Sequence, residues 1–236
     1  MIKRNTTGNK MLRTALAGGL LAAMLCLTQP PLSAADVPGG WGAIRNVGEG
    51  PDAITLVEVG GDRYQMGYWY GRLLANQITQ AWQSFMADVK APDDVFDSAL
   101  QALWNDKWFD TNVWEQELRG IADGCADAGH AEMNFETVRK FMAVPDISEN
   151  GCSLFCAWGN ATVNGDVYQM RNLDWSMTTG LQRFPVVAVY HPVDGRTHAG
   201  VGFAGMVGAA VGGMNDAGLA LSEIMGYCGD AETLAG

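Results

Sequence analysis

The sequence predicts an α+β fold, with helices in the first half and a mostly antiparallel sheet in the second. Apolar and aromatic residues recur at spacings of three and four from Tyr64 to about Val89, the repeat of a helix with one buried face. After Pro145 short β-rich runs alternate with Gly-containing turns, the pattern of consecutive antiparallel strands. Helices followed by strands, rather than alternating with them, favour a layered α+β domain over a doubly wound one. The 236 residues are 48% hydrophobic and 17% charged, which suffices for a core and excludes a disordered chain.

Residues 1–35 carry Lys3, Arg4, Lys10 and Arg13, no acid, and a 13-residue apolar run from Ala15 to Leu27. Small residues follow, placed for cleavage near Ala34-Ala35. This order predicts a secretory signal peptide; the run is shorter than the about 20 residues a bilayer span needs. A lipoprotein signal through Cys26 fits less well, because Met24 and Leu25 precede it. The remainder holds 11 basic and 26 acidic residues, a formal charge of −15. Such acidity argues against nucleic-acid partners. It predicts an exported domain, periplasmic or extracellular, with no stable membrane span. Residues 36–50 read as an extended, Gly-rich lead-in, and Ala53 to Val59 as a strand ending in the turn Gly60-Gly61-Asp62. Gly67 and Gly71, four apart on the first helix, predict close packing against a neighbour. Further helices are expected over roughly 94–105, 111–124 and 134–143. The strands expected after them are 153–158, 166–171, 185–191, 197–203, 206–212 and 218–224. Asn164-Gly165-Asp166, Asp194-Gly195 and Asn215-Asp216-Ala217-Gly218 provide the hairpin turns.

No His-Glu-x-x-His, Cys-x-x-Cys, Walker loop or Gly-x-Ser-x-Gly occurs, so no metal or cofactor is expected. His130, His191 and His198 lack ligand spacing and read as structural or solvent-facing. Beyond the signal segment, Cys125, Cys152, Cys156 and Cys228 would form two disulfides by default in an oxidising compartment. Cys152 and Cys156 are too far apart along one strand to pair with each other. The chemistry concentrates at Cys152, where the helical half gives way to the sheet. Gly151 before it permits strain and close approach. Were the Gly151–Cys152 bond cut, Cys152 would gain an α-amine titrating near 8, beside a thiol titrating at about 8.5. One residue would then supply both nucleophile and base. Arg171 could hold a carboxylate or carbonyl oxygen, and Asp174 the new ammonium. The same residues also suit plainer roles. The cysteines can be buried small hydrophobes or disulfide halves, Arg171 with Asp174 an ordinary ion pair, and Asn215 a turn residue.

Jointly, these segments resemble a known family. Gly151-Cys152-Ser153-x-x-x-Ala157, then Gly159-Asn160-Ala161-Thr162, then Arg171-Asn172-Leu173-Asp174-Trp175 are similar to the linear-amide branch of the N-terminal-nucleophile (Ntn) hydrolases. That branch includes the acyl-CoA:6-aminopenicillanate acyltransferases (peptidase family C45), choloylglycine hydrolases, acid ceramidase-like amidases and phospholipase B-like proteins. Tyr64-Gln65-Met66-Gly67-Tyr68-x-Tyr70-Gly71, Glu117 to Gly124, and Gly213-Met214-Asn215-Asp216-Ala217-Gly218-Leu219 resemble further segments of it, in the same order. The resemblance implies an αββα Ntn sandwich and autoproteolysis at Gly151–Cys152. Residues 36–151 would become a helical proregion or α-chain, and 152–236 the N-terminal part of a catalytic β-chain. Cys152 would attack a linear amide and form a thioester, Arg171 and Asp174 would stand behind it, and Asn215 would help stabilise the oxyanion. The substrate would be a small N-acyl amide or a lipid-like acyl compound. Relatives carry further strands, so the chain, ending at Glu232-Thr233-Leu234-Ala235-Gly236, is expected to be C-terminally truncated. Ser153 stands where several relatives have Thr, and Cys156 is unusual beside the nucleophile. Two alternatives stand beside this reading: a phospholipase B-like ester hydrolase using the same cysteine, and a non-enzymatic acidic domain or inactive fragment held by disulfides.

Overall fold

The computed structural model describes residues 40–50, 53–88, 97–98, 101, 111–143, 151–206 and 211–224. Residues 1–35, expected to be a signal peptide, most of the helix expected over 94–105, residues 207–210, Cys228 and the C-terminal tail lie outside the described residues. The observed class is α+β. In chain order the elements are β1 (Trp41–Val47), β2 (Ile54–Gly61), α1 (Arg63–Asp88), α2 (Thr111–Asp127), α3 (Phe135–Met142), β3 (Gly151–Gly159), β4 (Gly165–Asp174), β5 (Pro185–Pro192), β6 (His198–Phe203), β7 (Gly212–Asn215) and β8 (Ala220–Ser222).

Six strands form one sheet in the order β1-β2-β5-β6-β7-β8, while β3 and β4 form a hairpin of their own. Only the β2–β5 pair of the large sheet is parallel, because the long crossover through α1, α2, α3 and the hairpin separates those two strands in the chain. Two expectations need correction. Residues 41–47 are not a loose lead-in but a strand, pairing antiparallel with β2 from Trp41↔Gly60 to Val47↔Ile54. Half-buried Ile44 packs on the core, so this Gly-rich stretch has an apolar reason to join the sheet. Of the strand expected over 206–212, residues 207–210 lie outside the described residues, and Gly212 opens β7. Buried Ala204 and Met206 instead sit in a turn closed by Met206 N–H on Phe203 C=O at 3.0 Å. There, burial is satisfied without a ladder.

α1 starts where Asp62 and Gln65 cap each other: the Gln65 N–H donates to Asp62 Oδ1 and the Asp62 N–H to Gln65 Oε1, both at 2.9 Å. This reciprocal pair satisfies orphan donors at the helix start. One face of α1, with Met66, Trp69, Tyr70, Leu74 and Ile78, packs with Val57 and Val59 of β2 and Val186, Ala188 and Tyr190 of β5 in a single buried core. The other face meets α2 through glycines. A Cβ on Gly71 would lie 2.2 Å from the Ile121 carbonyl oxygen, and one on Gly124 2.0 Å from that of Tyr68. The two helix backbones touch, so the Gly67/Gly71 spacing is answered by Gly120 and Gly124 on α2. Among the described residues no helix is long and apolar enough to cross a membrane.

The hairpin is fixed at its base. Trp175, just after β4, packs partly buried against the core. The link to β5 is tied to the end of α1 by Thr178 Oγ1 donating to Asp88 at 2.7 Å and Arg183 Nη2 donating to Ser84 at 2.7 Å. β1 and β2, before the Gly151–Cys152 bond, share one sheet with β5 to β8, after it.

Candidate functional site

β3 and β4 pair from Gly151↔Asp174 through Cys152↔Leu173 and Leu154↔Arg171. Alternate residues of a strand share a face, so this register puts Cys152 and Arg171 on one face as diagonal neighbours. Burial shows which face is covered: Gln169, Arg171 and Leu173 are half-buried, while Tyr168, Met170, Asn172 and Asp174 are exposed. The covered face meets the end of β8. Gln169 Nε2 donates to Ser222 Oγ. Arg171 donates from Nε to the Glu223 carbonyl and from Nη2 to the Glu223 carboxylate.

The same Nη2 lies 3.0 Å from Cys152 Sγ. The Arg171 side chain is 5% exposed, and its Nη1 is buried with no hydrogen-bond partner. A guanidinium so placed favours negative charge as it develops on the sulfur. Asp174 stands opposite Gly151 on the outer face and accepts from Asn172 Nδ2 at 2.5 Å. It therefore lies level with the Gly151–Cys152 peptide but on the other side of the hairpin from the thiol. Asn215 closes the β7–β8 turn, its Oδ1 accepting from the N–H groups of Ala217 at 3.0 Å and Leu219 at 3.1 Å. The Arg171 contact is at the opposite end of β8 from that turn. Thus Cys152 and Arg171 come together, Gly151 and Asp174 adjoin them through the ladder, and Asn215 serves the turn.

Cys125, Cys152 and Cys156 are free thiols, which corrects the default of two disulfides for these residues. Each has a different environment. Cys125 is sealed between α1 and α2, its Sγ 3.5 Å from the Gly71 carbonyl, and burial pushes that thiol up to about 12. Cys152 faces Arg171. Cys156 is exposed further along the hairpin. The histidines are engaged elsewhere: His130 with Thr79 and Glu132, His191 with Thr197 and the Trp41 ring, and His198 with the Arg196 carbonyl and the Tyr190 ring. Among the described residues no three His, Cys, Asp or Glu side chains gather so as to hold a metal.

Glu223 was not singled out from the sequence, although it is the lone acid between Gly218 and Gly229. A charge in so apolar a stretch is the signal that could have found it. Glu117 was likewise passed over as a titrating group. It is 4% exposed, paired with Arg63 at 3.5 Å, and burial raises its carboxyl from 4.5 to about 7 against the opposing pull of Arg63.

No family model matches the chain. The chain is similar to protein dcd1B of Dictyostelium discoideum, at 24% identity over 72% of this chain and 38% of that protein. It is similar to protein dcd1A of the same organism, at 24% over 80% and 48%. An uncharacterized protein of Archaeoglobus fulgidus is 25% identical over 87% and 39%. The chain spans less than half the length of these curated relatives.

Proposed function

We propose that this chain carries the nucleophile of an exported, self-cleaving cysteine Ntn hydrolase or acyltransferase acting on linear N-acyl amides, within an αββα sandwich. The observation that carries the reading is the Arg171 guanidinium held 3.0 Å from Cys152 Sγ, on a cysteine preceded by glycine at the start of β3. In the maturation step the Cys152 thiol attacks the Gly151 carbonyl. A C–S bond forms, the peptide C–N bond breaks to free the α-amine of Cys152, and water then hydrolyses the thioester, releasing Gly151 as a carboxylate and restoring the thiol. In turnover that amine takes the thiol proton as sulfur attacks the substrate carbonyl, then passes it to the departing amine. Water or an acyl acceptor completes the cycle. Arg171 steadies the sulfur through Nη2. Asp174, level with the cut bond, is assigned to the new ammonium. Export is supported by the basic, apolar and small-residue order of residues 1–35.

Mass spectrometry of the purified full-length protein tests this directly. Two chains are expected, one beginning at Cys152, and the Cys152→Ala variant should persist as one. A wild-type chain that stays whole, or a processed Cys152→Ala chain, would overturn the reading. Matched amide and ester substrates with the same acyl group separate the amidase from the ester hydrolase, which uses the same atoms.

A further inference from the structure

We propose that Glu223 is a positioning residue of the Cys152 site, clasping the Arg171 guanidinium so that it stays on the thiol. The catalytic consequence rests on the reading of Cys152 as nucleophile; the clasp itself does not. Nε and Nη2 form one edge of the planar guanidinium, and Glu223 occupies that edge with two different groups. Its backbone carbonyl takes Nε and its carboxylate takes Nη2. Two-point binding fixes the plane as well as the position, which a single contact to a long, flexible side chain cannot do. Nη2 then serves the carboxylate and Cys152 Sγ together, while buried Nη1 is left without a partner. The guanidinium is therefore gripped along one edge, with a buried donor unpaired at the other end. The segment that grips it is itself stitched to the hairpin one position earlier, where Gln169, two residues before Arg171 on the same face, donates to Ser222.

Two plainer roles make different predictions. If Glu223 were only a counter-charge, removing it would strengthen the field of Arg171 on the sulfur and quicken the thiol. If it were only structural, removing it would loosen the hairpin as a whole. A positioning role predicts a slower thiol, an effect that vanishes without Arg171, and recovery when an uncharged acceptor of the same length is restored.

The experiment measures iodoacetamide alkylation at pH 7 on the purified full chain, with each site read by peptide mass spectrometry. Exposed Cys156 is the internal standard and buried Cys125 reports unfolding. Arg171→Met should slow Cys152 about tenfold, and Glu223→Ala about threefold to fivefold, its carbonyl remaining on Nε. Glu223→Gln should recover most of that loss. In the Arg171→Met background Glu223→Ala should change nothing further. Should Arg171→Met not fold, the slowly exchanging Arg171 Nε–H resonance is followed instead; it should broaden or shift in Glu223→Ala and return in Glu223→Gln. A faster Cys152 in Glu223→Ala would overturn the proposal, as would an equal effect with and without Arg171, an unmoved Nε–H resonance, or parallel acceleration of Cys125. Amide hydrolysis that survives Cys152→Ala would strike the hydrolase reading and leave the clasp standing.

Discussion

Where α1 meets α2, glycines bring two backbones into contact, and Tyr70, Glu117, Ile121 and Cys125 are closed off from water. In the β3–β4 hairpin, Phe155 and Met170 are 59% and 57% exposed, and along β4 burial is confined to the face that carries Arg171. The two regions each contain a cysteine, and the surroundings of the two thiols differ. Cys125 sits among apolar neighbours that hold its proton on, so close packing makes that thiol inert. Cys152 lies on a half-covered strand beside a guanidinium with a donor to spare. The helical region is tightly packed, whereas the hairpin leaves Cys152 half-buried and Cys156 exposed. They join at the base, through Trp175 and the links to Asp88 and Ser84.

The contrast breaks hardest at a helix glycine. Gly124→Ala would set a methyl 2.0 Å from the Tyr68 carbonyl oxygen, and backbone cannot yield as a side-chain tip can. A loss of about 3 kcal/mol or more is expected, at the upper end of overpacking costs, measured by urea unfolding. A loss under about 1 kcal/mol would mean that the helices do not touch as described.

Glu117 sharpens the same region through pH. Its carboxyl is raised from 4.5 to about 7, chiefly by burial, so the folded state holds this proton more tightly than the unfolded chain. The stability it contributes is complete below about pH 4.5 and is lost as the pH rises through about 7. The expected decline is roughly 3 kcal/mol across that window, and Glu117→Gln should flatten it. An unchanged pH slope in the variant would show that Glu117 is more solvated than its position implies. Tyr70 gives a smaller effect. Its buried hydroxyl accepts from the Gly205 N–H at 3.3 Å and donates towards the Met206 carbonyl at 3.4 Å. Tyr70→Phe should cost about 1–2 kcal/mol for the two groups left unpaired.

How far these regions could be read in advance follows the same division. α1 was legible because a long buried face imposes a clear period, and Gly67 and Gly71 announced a close neighbour. Which neighbour was not legible, since Gly120 and Gly124 lie about fifty residues on. Strand alternation located β2, β5 and β6 but could not reveal that β2 pairs in parallel with β5, because period two is the same for any partner. Nor could it show that β3 and β4 stand apart from the large sheet. In the site, Cys152 and Arg171 were marked by their motif. Glu223 was hidden because its role depends on the end of β8 reaching the hairpin, a long-range contact with no local trace.

The smallest expected effect is on the outer face of the hairpin. Phe155 and Met170 are directly paired across β3 and β4 and both more than half exposed, so little burial is lost when either is changed. Exposed positions of this kind move stability by about 0.5 kcal/mol or less, and a cross-strand pair contributes roughly 0.2–1 kcal/mol. Phe155→Ser and Met170→Ser should therefore unfold in urea nearly as the wild type does, and their combination should fall short of the sum because both remove one shared contact. The alkylation rate of Cys152, on the opposite face, should not change. If either single variant cost more than about 1 kcal/mol, it would be behaving as a core residue does. The outer face would then be covered in solution, and the division between a sealed helical region and an open reactive hairpin would fail on that side.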